Sequence, residues 1–118
     1  MNVIIADHNS KPRKALADLL REQPGIFVTG EVAETNGLIE LVAKQVVDVI
    51  LLDSGLPSIP LAELIHQIHT INRSTRTIVM SIDPENARFA LNSGADFFVS
   101  KSNQPEWLLE TLRRCGRR

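Results

Sequence analysis

The chain has almost no cysteine: Cys115 stands alone. That excludes an internal disulfide and suits a reducing compartment. An excess of charge of one sign is missing too. Thirteen lysines and arginines against 14 acids leave a net charge of −1, which argues against a surface that coats nucleic acid. The locally basic tail, Arg113, Arg114, Arg117 and Arg118, reads as cations at a helix C-terminus, with 113–118 the start of a linker. No apolar run approaches the length of a membrane span, and the N-terminus runs straight into a strand without a signal-peptide pattern. The expectation is a cytoplasmic protein without membrane contact or direct nucleic-acid binding. Repeats, low-complexity tracts and internal linkers are absent as well. What is there, 118 residues at 43% hydrophobic and 23% charged, has the composition of an ordinary globular domain. A single domain over 1–118 buries roughly two-thirds of its unfolded surface.

The strongest local signal runs from Gln45 to Pro57. Val46, Val47, Val49, Ile50, Leu51 and Leu52 form an apolar run broken only by Asp48, and Ser54, Gly55 and Pro57 then signal a turn. A short β-branched run of this kind reads as a strand buried on both faces of a parallel sheet. Similar runs occur at 1–6, 26–32, 77–81 and 97–99. Between them lie apolar residues at helical spacing: Ala15, Leu16, Leu19 and Leu20; Leu38, Ile39, Leu41 and Val42; Leu61, Leu64, Ile65 and Ile68; Ala87, Ala90 and Leu91; Leu108, Leu109 and Leu112. Ser10 is the expected cap of the first helix and Asn103 that of the last, with Pro105 in its first turn. Pro84 marks the start of the fourth helix and Gly94 its end. Five strands alternating with five helices predict an α/β protein with a five-stranded parallel sheet. The expected architecture is a flavodoxin-like, doubly wound (βα)5 fold with strand order 2-1-3-4-5.

In such a sheet all strand C-termini face one rim, where ligands bind. Four of the five runs end in reactive groups: Asp7-His8, Asp53, Ser81 and Lys101. Any one of them can simply mark where a strand stops. A carboxylate pair, a hydroxyl and a lysine together fit phosphoryl transfer better. Asp53 would be the nucleophile, Asp7 would hold Mg²⁺, and Lys101 and Ser81 would contact phosphoryl oxygens. Two carboxylates about 4 Å apart repel by roughly 4 kcal/mol at an effective dielectric of 20, so the site needs Lys101 and a cation.

The segments VIIADHN, VILLDSGLP, TRTIVMS and SGADFFVSK, in this order and spacing, resemble the receiver domains of two-component response regulators. They are most similar to receivers of the NarL/LuxR-like subgroup. The resemblance implies that Asp53 is the phosphorylation site, taking a phosphoryl group from a histidine kinase, and that Asp7, Asp53 and the backbone carbonyl of Gly55 hold Mg²⁺. It further implies that Ser81 is the switch hydroxyl, Lys101 the phosphate-pairing lysine and Phe98 the aromatic that reports phosphorylation. The fourth helix, fifth strand and fifth helix would then be a bistable output surface. A homodimer and, in a longer protein, a helix-turn-helix DNA-binding output domain controlling transcription are implied by the resemblance alone. On this reading the domain is a signalling switch and not a turnover enzyme.

Two positions depart from the family pattern. Where a second acid normally touches Mg²⁺ the chain has His8, and imidazole suits Zn²⁺, Co²⁺ or Ni²⁺ better than a hard cation. His8 as a local cation, or as a neutral residue at the pocket edge, is an equal alternative. Ile82 follows Ser81, where the family favours a small residue, and is expected to narrow the opening. Both departures motivate a competing reading: a degenerate receiver that binds partners without phosphate control. An enzyme is disfavoured, because a dehalogenase-like phosphatase wants an Asp at Gly55 and a flavodoxin wants a phosphate loop at residues 7–11. His66 and His69, three apart, read as solvated helix positions, and Trp107 as an exposed aromatic on the last helix.

Overall fold

A computed structural model describes residues 1–102 and 105–116. The elements alternate as expected: β1 (Asn2–Ala6), α1 (Ser10–Arg21), β2 (Phe27–Val32), α2 (Thr35–Lys44), β3 (Val49–Asp53), α3 (Leu61–Ile71), β4 (Arg76–Ser81), α4 (Asn86–Asn92), β5 (Phe97–Ser100) and α5 (Pro105–Cys115). All neighbouring strands pair in parallel, in the order β2-β1-β3-β4-β5. The predicted strand order and fold class are those observed.

Why the strands read as continuous apolar runs is visible in the two layers of the core. Successive side chains point to opposite faces. Ile4, Ala6, Ile50, Leu52 and Val79 therefore meet Leu38, Val42, Leu64 and Ile68 of α2 and α3 on one face. Val3, Ile5, Leu51, Ile78 and Met80 meet Ala17 and Leu20 of α1 and Leu108 and Leu112 of α5 on the other. Every residue of β3 is buried. Leu51 and Leu52 lose all contact with solvent, and truncating either to alanine costs about 2–5 kcal/mol.

Several local expectations need correction. Asn9, not Ser10, caps α1: its backbone is extended and its side chain accepts from the Lys11 N–H. On that helix Ala17 is buried where Ala15 is exposed. The apolar run before β3 begins too early, since Val46 is 68% exposed while Val47 is buried. Asp48, which seemed only to interrupt that run, ties the start of β1 by accepting from the Asn2 N–H at 2.6 Å. Pro84 opens a turn, with the Ala87 N–H on its carbonyl, and the helix proper begins at Asn86. Leu91, expected on the buried face of α4, is 47% exposed. The proposed Asn103 cap and Arg117 and Arg118 of the tail lie outside the described residues.

The C-terminal ends of the strands are held level by backbone bonds that continue the ladders. The Asp7 N–H donates to Val32 O at 3.0 Å, the Ser54 N–H to Met80 O at 2.8 Å, and the Lys101 N–H to Ser81 O at 2.8 Å. Asp7, Asp53, Ser81 and Lys101 are thereby set along one rim.

Candidate functional site

Each acid of the rim is the first residue released from, or the last retained by, a strand whose C-terminal half is buried. Asp53 closes β3, and Asp7 directly follows β1. Both are almost enclosed, with 7% and 3% of their surface exposed. A pair of carboxylates out of water requires a cation. Lys101, just past β5, supplies it: Nζ lies 2.6 Å from Asp53 Oδ1 and 2.8 Å from Asp7 Oδ2. Burial works against the charged ammonium and is the largest single influence. Hydrogen bonds and charge attraction from Asp53 and Asp7 together outweigh it, so the lysine's pKa is raised above its ordinary value.

The second oxygen of each acid faces away from Lys101. Asp7 Oδ1 accepts the Asn9 N–H at 2.9 Å, and Asp53 Oδ2 accepts the Gly55 N–H at 3.1 Å. Over these same two oxygens stands His8, with Nδ1 3.6 Å from Asp53 Oδ2 and 3.8 Å from Asp7 Oδ1. Asp7, His8 and Asp53 form the one group among the described residues whose ligand atoms could share a metal, all within 4.8 Å of one another. His66 and His69 are not part of it. The His8 side chain is 62% exposed, so the ring lies at the mouth of the site.

Ser81 is on the rim, but its hydroxyl is engaged elsewhere. Oγ accepts from Asn86 Nδ2 at 2.8 Å and from the Asp83 N–H at 3.1 Å, so it is turned toward the start of α4. Phe98 is half-buried against the α2–α3–α4 layer. Gly55 contributes its N–H to Asp53. Ile82, expected to crowd the opening, directly follows Ser81 and is 77% exposed. Trp107 is exposed on α5, as its helical position predicts.

Two participants escaped the sequence reading. Arg13 reaches back from α1 to donate from Nη1 to the Asp7 carbonyl at 2.7 Å, while its Nε sits 3.6 Å from Glu31 on β2. It fixes the backbone that carries Asp7 and His8. Asn86 holds the Ser81 hydroxyl. An arginine in a helix with Lys11 and Lys14 looks like solvated charge, and an asparagine near a turn looks like a turn former. Neither carries a local signal for what it contacts.

A family profile, the response regulator receiver domain, matches residues 3–113. Among curated proteins, the chain is similar to the nitrate/nitrite response regulators NarP and NarL of Escherichia coli K12. It is 29% identical to the first over 113 residues, covering 94% of this chain and 53% of the relative. It is 30% identical to the second over 116 residues, covering 97% and 54%. The chain thus spans about half the length of the curated relatives it matches. Similar solved structures include the receiver domain of a putative response regulator NarL from Mycobacterium tuberculosis, at TM-score 0.85 and 24% identity, covering 99% of this chain and 97% of that one. The response regulator domain of Thermotoga maritima CheB aligns at TM-score 0.82 and 26% identity, covering 98% and 95%.

Proposed function

The chain belongs to the response regulator receiver domain family, and on that premise we propose that it is a phosphorylation-controlled switch with Asp53 as the phosphoacceptor. The observation that carries this reading is the Lys101 ammonium held between Asp53 and Asp7. It compensates the Asp53 carboxylate in a buried setting and offers a cation where a transferred phosphoryl group would need one.

In the proposed step a carboxylate oxygen of Asp53 attacks the phosphorus of a phosphohistidine on a kinase. The new P–O bond forms as the P–N bond breaks, and the imidazole leaves with the electron pair. Lys101 pairs with one phosphoryl oxygen. The Ser81 hydroxyl leaves Asn86 and donates to another. Mg²⁺ fits the rim through Asp7 and Asp53, since each keeps an oxygen turned away from Lys101 and a hard cation takes waters in its other positions. When bound, it offsets charge on the transferring group.

Loss of the Ser81–Asn86 bond frees the start of α4, and Phe98 on β5 packs against the layer that includes α4. A single new charge at Asp53 then biases the α4–β5–α5 surface between two arrangements. This is a signalling role, not turnover catalysis. The similar proteins include a probable transcriptional regulatory protein, SgaR, at 27% identity, and the chain spans about half of such relatives. Control of transcription through a DNA-binding output domain, with a histidine kinase as donor and a second copy as partner, is the role we assign on that basis. No helix among the described residues is long and apolar enough to cross a membrane, which accords with action in the cytoplasm.

His8 favours one second reading, a receiver that has given up phosphate control. Intact mass after incubation with acetyl phosphate, or with a phosphorylated histidine kinase, and a divalent cation separates the two. One added phosphoryl group that is absent in Asp53→Asn is expected. No gain with any donor or metal would sink the switch.

A further inference from the structure

We infer that His8, Asp7 and Asp53 form a mixed nitrogen–oxygen site that takes a borderline transition-metal cation, of the Zn²⁺ or Co²⁺ class, in preference to Mg²⁺. The inference rests on the reading of Asp7 and Asp53 as a cation-binding rim, and adds to it the identity of the cation.

The geometry divides the two carboxylates cleanly. Lys101 takes Asp7 Oδ2 and Asp53 Oδ1, whereas His8 Nδ1 faces Asp7 Oδ1 and Asp53 Oδ2. A cation between His8 and the acids therefore need not displace the lysine. Two ligand atoms each ~2.1 Å from a tetrahedral Zn²⁺ lie about 3.4 Å apart. The separations of 3.6 and 3.8 Å between the imidazole nitrogen and the two oxygens are within a few tenths of an ångström of that. Three protein ligands with the remaining position open to water is the arrangement of accessible Zn²⁺ sites.

The floor of the site is Gly55. A Cβ added there would crowd Asp53 Oδ2 at 3.1 Å and would meet His8 Cε1 at an ordinary contact distance of 3.5 Å, so the glycine leaves the carboxylate oxygen room and lies directly beneath the ring. Both backbone N–H groups that bind the acids, from Asn9 and Gly55, land on the His8-facing oxygens and orient them. Such supporting contacts are what hold ligands in place at metal centres.

Donor chemistry decides the selectivity. Mg²⁺ demands oxygen ligands in near-octahedral array and gives up its waters reluctantly. Imidazole nitrogen suits Zn²⁺, Co²⁺ and Ni²⁺, and the general affinity order already favours them. His8 sets a nitrogen donor over the two carboxylate oxygens that Lys101 leaves free.

The test is calorimetric titration of Zn²⁺, Co²⁺ and Mg²⁺ into the chain, with the visible absorption of Co²⁺ as a second readout. A His66→Ala/His69→Ala background removes the other imidazoles. Tighter binding of Zn²⁺ and Co²⁺ than of Mg²⁺ is expected. His8→Ala should weaken the transition metals by at least roughly 10- to 100-fold, the range already seen when a supporting contact alone is lost, and should dim the Co²⁺ bands. His8→Asp should reverse the preference toward Mg²⁺. Equal Zn²⁺ and Co²⁺ affinity with and without His8, in variants whose circular dichroism and cooperative urea unfolding show them folded, would overturn the inference. If that chain still takes a phosphoryl group on Asp53 with Mg²⁺, only the inference fails. If no metal supports phosphorylation yet Zn²⁺ binding still depends on His8, the phosphoacceptor reading fails and the metal site stands.

Discussion

Lys101 shows how one residue compensates two others. Its ammonium bridges carboxylates contributed by β1 and β3, from the far end of the sequence. Removing one partner of a buried ion network costs more than the network contributes, because the charge left behind has no compensation. Lys101→Met should therefore destabilise the chain by about 3 kcal/mol. Urea unfolding measures this, and an added divalent cation should recover more stability in the variant than in the parent, because it replaces the missing positive charge. A variant as stable as the parent without metal would show that Asp7 and Asp53 do not need the lysine. Asp53→Asn is the opposite case, since Asp7 remains to pair with Lys101, and its effect should fall on phosphorylation and not on stability.

At the scale of elements, α4 is the piece on which signalling would act, and its two ends are built differently. The start is a hydrogen-bonded turn from Pro84, held to the site through Asn86 and Ser81. The end is a tight C-cap: the Ala95 N–H reaches Ala90 O and the Gly94 N–H reaches Leu91 O, the paired bonds of a Schellman motif. Gly94 has φ +107, a conformation that side chains resist, and a Cβ there would lie 3.3 Å from Ile65 Cγ2. Gly94→Ala should cost about 1–3 kcal/mol. Gly25 also has positive φ, at +79, but nothing lies within 4 Å of an added Cβ. Gly25→Ala should accordingly cost less, and thermal melts of the two variants compare strain alone with strain plus contact. The capped end leads into β5, which carries Phe98, while the start is coupled to the Ser81 hydroxyl through Asn86.

For the molecule as a whole, the sheet with helices on both faces accounts for the pH response. Cys115 is buried in the α1–α5 layer, and burial pushes its thiol from 9.0 up to about 11, with Asp96 adding to the rise and Arg76 opposing it. The folded chain thus keeps a proton that the unfolded chain releases. Its contribution is complete below pH 9 and is lost as pH climbs to about 11. Lys101, also raised, acts in the same direction at still higher pH. Stability measured by urea unfolding should fall through this alkaline range, and Cys115→Ala should flatten the first part of the fall. A parent curve that stays flat from pH 9 to 11 would contradict the assigned burial of the thiol.

The alternation of buried runs with amphipathic helices was enough to determine ten elements, a parallel sheet and the rim on which Asp7, Asp53, Ser81 and Lys101 stand, with 2-1-3-4-5 as its simplest strand order. These are consequences of local periodicity and chain connectivity, both of which a sequence carries. Details set by competing local groups were harder to read, as the cap at Asn9 and the exposed Val46 illustrate. What only the tertiary structure decided is how the rim residues divide their contacts. Lys101 lies 94 positions from Asp7, and nothing local says that it takes one oxygen from each acid and leaves the others to His8. Nor could the chain alone announce that Arg13 grips the Asp7 carbonyl or that Asn86 holds Ser81. Those relations depend on strand register and rotamer, which exist only once the sheet has formed. Asp53 was legible as a buried carboxylate at the end of a central strand, which is the position the proposed phosphoacceptor role requires. The character of its surroundings, a shared lysine on one side and an imidazole on the other, was not.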